Sequence, residues 1–161
     1  MYRHVSRLRC IWHWIVALLA FSFDLLFGEQ DFDPYKDNKG TIVGIAGENY
    51  VVIAADTRLP DGYLIRSRSI TRLFELGDAD SPFVLASAGC WADVVELRKA
   101  LDGDICRYQW ENGSPMSINA MSHLLSSTLF SRRTFPYFTF NAVAGFDRRG
   151  CGAIFRYDAI G

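Results

Sequence analysis

Nucleophiles, bases and metal ligands are the residues that could do chemistry, and few of them stand in a pattern here. Four cysteines lie far apart, at Cys10, Cys90, Cys106 and Cys151. No pair has the spacing of two to four residues that a structural zinc site uses, and His4, His13 and His123 add no ligand partner. Two disulfides are arithmetically open, but a chain this apolar needs no staples, so the cysteines read as reduced thiols of a cytosolic or nuclear protein. Neither a metal nor a cofactor is implied. His123 stands beside Ser122 on a helical stretch, where an isolated histidine reads as a packed or surface side chain rather than a base. The most suggestive group is Ala55-Asp56-Thr57-Arg58. A carboxylate ending a buried strand has an ordinary use as acceptor for backbone N–H groups.

The elements that would hold Asp56 are legible. Thr41 to Ala46 is a strand, Gly47-Glu48-Asn49 a turn, and Tyr50 to Ala55 the return strand, rich in β-branched residues. The return strand is apolar on both faces, which predicts cover on both sides. Pro60-Asp61-Gly62 reads as a turn, Tyr63 to Ile65 and Leu73 to Leu76 as short strands, and Phe83 to Ala86 as a buried one closing on Ser87-Ala88-Gly89. The period then changes from 2 to 3.6. Val94, Leu97, Leu101, Ile105 and Tyr108 mark one helix, broken at Asn112-Gly113-Ser114-Pro115. Ile118, Met121, Leu125 and Leu129 mark a second, capped by Ser117 and ending at Arg132 and Arg133. Tyr137 to Phe146 and Cys151 to Tyr157 return to strands around the turn Asp147-Arg148-Arg149-Gly150. Strands, two helices, then strands predict an α+β protein with helices segregated on a sheet.

The front of the chain differs. Arg3, His4, Arg7 and Arg9 precede an apolar run from Ile11 to Phe27, the order of a secretory signal or anchor. Asp24 would sit at high cost inside a membrane, and Leu18 is large for a position two before a cleavage site at Ala20. The predicted division is a hydrophobic leader over 1–30 (signal-like, or a mis-chosen start), a polar arm over 31–39, and a body over 40–161. Half of the 161 residues are apolar, 22% are charged, and the net charge is −1, which excludes a disordered chain and a general nucleic-acid binder.

An ordered series of motifs resembles the proteasome β-type subunits. It begins with Phe32-Asp33-Pro34-Tyr35, Gly40-Thr41-Ile42 and Ala55-Asp56-Thr57-Arg58, and continues through Gly62-Tyr63 and Ser87-Ala88-Gly89. Ser131-Arg132-Arg133, Phe135-Pro136-Tyr137, Gly145-Phe146-Asp147 and Tyr157-Asp158 complete it. The resemblance implies an N-terminal-nucleophile hydrolase fold, a four-layer αββα sandwich, here incomplete at the C-terminus. Such an incomplete sandwich leaves open strand edges and is expected to fold poorly alone. Active members expose a threonine by self-cleavage after a glycine; its hydroxyl attacks the peptide carbonyl and its freed amine serves as base, tuned by an aspartate and a lysine.

In the family the nucleophile lies sixteen positions before the aspartate, and sixteen before Asp56 is Gly40, not Thr41. Thr41 becomes the second residue, and a one-residue slip on a strand turns its side chain to the opposite face. The lysine position, sixteen beyond Asp56, holds Arg72, whose planar, always-charged fork is no conservative replacement. The resemblance therefore implies a noncatalytic structural subunit without catalytic residues. It implies as partners the other β subunits of a seven-membered ring, the facing β ring and the adjacent α ring, in cytoplasm and nucleus, with no nucleic acid and no membrane. Three alternatives stand beside it: an active threonine endopeptidase subunit using Thr41, a secreted or membrane-anchored module, and a generic α+β binding domain.

Overall fold

The computed structural model describes residues 35–78 and 81–161; the leader over 1–30 and the first part of the arm lie outside the described residues. Four strands form one antiparallel sheet in the order β5-β6-β7-β8: β5 Leu73–Leu76, β6 Phe83–Gly89, β7 Thr139–Phe146 and β8 Gly152–Tyr157. Two hairpins precede it, β1 Ile42–Ala46 with β2 Val51–Ala55, and β3 Leu59–Asp61 with β4 Leu64–Ser67. Between β6 and β7 run two helices, α1 Trp91–Asn112 and α2 Ile118–Ser131. Helices and strands are segregated, as the order of periods predicts.

Alternation along the central strands assigns the two faces of the sheet. Phe83 and Leu85 on β6, opposite Gly145 and Val143 on β7, point to the helices. There they meet Leu97, Leu101, Met121, Leu125 and Leu129, each fully or almost fully buried. These are the helical positions that the period of 3.6 picks out. Ser117 caps α2 by accepting from the Ala120 N–H, and Gly113 closes α1 in the left-handed conformation with φ +62°. The opposite face carries Ala86, Ala88, Ala142 and Ala144, all buried. Side chains this small let the β1–β2 hairpin approach, and Ile154 of β8 reaches it at Gly44. The described residues thus build three layers: a helix pair, the sheet and the first hairpin.

Two expectations need correction. Pro60 and Asp61 belong to β3, and the turn is made by Gly62 and Tyr63, Gly62 having φ +60°. Proline suggests a turn, but it also fits an edge strand, where its missing N–H breaks no ladder bond. The return strand β2 is also not covered on both faces among the described residues. Val52, with Val43 and Ile45 on its partner, is more than half exposed, because the two-stranded hairpin meets the sheet through one side only.

Candidate functional site

The β1–β2 ladder sets the register of every residue at its mouth. Ile42 pairs with Ala55, and the bonding continues one step outward, the Asp56 N–H donating to the Thr41 carbonyl at 3.1 Å. The Thr41 N–H donates in turn to Asp56 Oδ1 at 3.1 Å. By alternation Thr41 falls with exposed Val43 and Ile45 on the outer side, while Gly40 falls with Ile42 and Gly44 on the side that meets the sheet. Thr41 itself is exposed.

Arg72 lies on that interior side, immediately before β5, and its side chain is completely buried. Its Nη2 donates to the carbonyls of Arg58, at 2.8 Å, and Asn38, at 3.2 Å. Nε stands 3.0 Å from Asp56 Oδ1, an ion-pair contact bent away from hydrogen-bond geometry, and Nη1 has no protein acceptor. The structure thus brings together four residues singled out in the sequence: Gly40, Thr41, Asp56 and Arg72. Asp56 serves a backbone N–H and a guanidinium. The position facing that pair carries no side chain at all. A cleft of about 1250 Å³ opens beside it between hairpin and sheet, lined in part by Gly40, Ile42, Gly44, Ala88, Ile154 and Arg156.

The arm from Tyr35 to Lys39 is bonded into the body. Tyr35 donates its hydroxyl to the Pro136 carbonyl at 2.9 Å. Asn38, only 7% exposed, donates from Nδ2 to the Pro60 carbonyl and accepts at Oδ1 from the Trp91 N–H, both at 2.9 Å. It ties β3 to the start of α1. Asp37 accepts from the Lys39 N–H and turns the chain, so that Lys39, at φ +53°, and Gly40, at φ +134°, swing into β1. The Lys39 carbonyl accepts from Gly89 at the end of β6. Sequence reasoning passes over Asn38, because one asparagine in a polar arm looks like any loop residue until its partners are placed. The same holds for the buried chain Ser87–Asn141–Thr139, whose hydroxyls and amide satisfy one another.

Among the described residues no three His, Cys, Asp or Glu side chains gather as a metal site requires, and no helix is long and apolar enough to cross a membrane. Cys90 is buried, and Cys106 and Cys151 are exposed free thiols. His123 is exposed on α2.

The proteasome subunit family matches residues 37–161, more than three-quarters of the sequence. The chain belongs to the proteasome subunit family. It is 46% identical over 131 residues to proteasome subunit beta type-1 of Dictyostelium discoideum, and 46% over 131 residues to that of Arabidopsis thaliana. It is 44% identical over 131 residues to that of Drosophila melanogaster. Each match covers 81% of this chain and 54–57% of the relative, so this proteasome-family chain spans about half the length of the curated relatives it matches.

One charged group of the proteasome-family domain gives a pH prediction. Asp61, buried at the β3–β4 hairpin, takes hydrogen-bonded ion pairs from Lys36 on the arm and from Arg66, which hold its carboxyl below the usual carboxylate range. A depressed folded value contributes stability that is complete above about pH 4, the unfolded value, and is lost as pH falls through the folded one. Asp61→Asn is expected to flatten the acid limb of a urea-midpoint profile below about pH 4. An unchanged acid limb would remove Asp61 from the account.

Proposed function

We infer that this chain is a noncatalytic β subunit of the 20S proteasome core particle, a wall element of the β ring that encloses the degradation chamber. The observation that carries the reading is Gly40: the position facing the Asp56–Arg72 pair has no hydroxyl, and the neighbouring Thr41 lies on the outer side of β1. In active members the base is the freed amine of the nucleophile residue itself, whereas here the nitrogen beside the neighbouring hydroxyl, that of Thr41, donates to Asp56 Oδ1. The similarity to beta type-1 subunits supports the same reading.

In this role the chain supplies surface and rigidity rather than chemistry. Its partners are the neighbouring β subunits, the facing β ring and the adjacent α ring, in cytoplasm and nucleus. The fold is that of a four-layer αββα sandwich, in which the outer face of β1 and β2 is the side that a second helical layer covers. The half-exposed Val43, Ile45 and Val52 support that placement, since a contiguous apolar face of this kind is cover for a partner element.

The test is to isolate core particles, treat them with a threonine-reactive epoxyketone, and weigh the intact chains. The chain is expected in the particle, unlabelled, with the Gly40–Thr41 bond intact. Labelling at Thr41 with a new N-terminus there would make it an active subunit, and absence from the particle would remove the structural role.

A further inference from the structure

The vacated nucleophile position is not empty space. A Cβ built on Gly40 would lie 2.8 Å from Arg72 Cζ, 2.9 Å from its Nη1 and 3.0 Å from Ala88 Cβ. We propose that Arg72 is a positioning residue that fills the volume of a residue-40 side chain and clamps the 35–40 arm to the body, so that the glycine and the arginine work as a complementary pair.

Ordinarily the end of a long side chain yields to a new neighbour at little cost. This one is held. The guanidinium is buried, two backbone carbonyls from separate segments accept from Nη2, and Asp56 lies against Nε. One of those carbonyls belongs to Asn38, whose side chain bonds β3 and α1, so displacing Arg72 also loosens the arm. Nη1, without an acceptor, stands 2.9 Å from where a Cβ on residue 40 would lie, so any larger residue 40 would press on it. A buried polar atom without a partner costs stability, and close packing over a bare Cα is what retains it here. The proposal deepens the noncatalytic reading: a hydroxyl restored at position 40 has no room while Arg72 stands, so a single substitution does not rebuild a nucleophile.

Gly40 has φ +134°, so any side chain there is strained whatever its neighbours. A double-mutant cycle separates that strain from the contact with Arg72. Unfolding of the full chain is measured for Gly40→Ala, Arg72→Lys, which keeps the charge and removes the fork, and the two together. The combined loss is expected to be smaller than the sum of the single losses by about tenfold in the unfolding equilibrium constant. Losses that simply multiply would overturn the proposal. If Gly40→Ala does not fold, folding of the double variant supports it and failure of both counts against it. An independent measurement needs no variant at residue 40: the Arg72 Nε–H proton, identified by its disappearance in Arg72→Lys, is expected to exchange at least about a hundredfold more slowly than in a free arginine, as for a group opened only by local unfolding. Free-arginine exchange would show that the guanidinium does not seal the site. The epoxyketone experiment on the unmodified particle tests the noncatalytic reading separately, and either result can fail without the other.

Discussion

Gly89→Ala is expected to lower the stability of the domain by about 4 kcal/mol, from positive-φ strain and overpacking together. Gly89 ends β6 with φ +109°, where only glycine is unstrained, and an added Cβ would collide with the Phe138 carbonyl oxygen. That oxygen cannot retreat, because it accepts from the Cys90 N–H at 2.9 Å, and the Phe138 N–H is itself held by Asp93 Oδ2. The site is where the central sheet hands the chain to α1 and where the Gly89 N–H bonds the Lys39 carbonyl, so the change also disturbs the entry to β1. Gly103 is the control. It lies within α1, and a Cβ there meets nothing within 4 Å, so Gly103→Ala is expected to add about 0.5–1 kcal/mol through helix propensity. Urea unfolding of the two variants at unchanged slope decides the matter; equal midpoints would mean that the β6–α1 corner is far softer than its contacts indicate.

The difference between these two glycines is invisible in sequence, and it explains which parts of the molecule were legible. Local period is a property of consecutive residues. The stripes of Leu97, Leu101 and Ile105 on α1, and of Met121, Leu125 and Leu129 on α2, therefore name the core before any contact is known. The first hairpin is legible for the same reason, since its turn and both strands are contiguous. The β3 strand was not, because Pro60-Asp61-Gly62 carries turn chemistry and only the pairing with β4 puts two of those residues in a strand. For the site, counting from Asp56 locates Gly40 and Arg72, and alternation assigns Thr41 to the outer side. Counting does not reveal that Arg72 occupies the space beside Gly40, or that Asn38 ties the arm to β3 and α1. Those contacts join segments 22 to 53 residues apart, and nothing local in the chain encodes them.

Removal of the Asp56 carboxylate is expected to be the other large effect. Asp56→Ala leaves the fully buried Arg72 guanidinium without a countercharge and the Thr41 N–H without its acceptor. Breaking a buried ion pair from one side costs about 3–5 kcal/mol, and because the Asp56 side chain is 41% exposed, water reaches part of the site and the low end, about 3 kcal/mol, applies. Asp56→Asn distinguishes the two contributions. It keeps an oxygen for the Thr41 N–H and removes only the charge. If Arg72 depends on the charge, Asp56→Asn loses nearly as much as Asp56→Ala, and Asp56→Ala combined with Arg72→Met recovers part of the loss, since an apolar chain has no charge to leave uncompensated. If Asp56→Asn instead matches the unmodified chain in urea midpoint, the carboxylate acts only as a strand-end acceptor. Arg72 would then be held by the Asn38 and Arg58 carbonyls alone, and what keeps a cation at the heart of this site would be those two backbone acceptors rather than the aspartate.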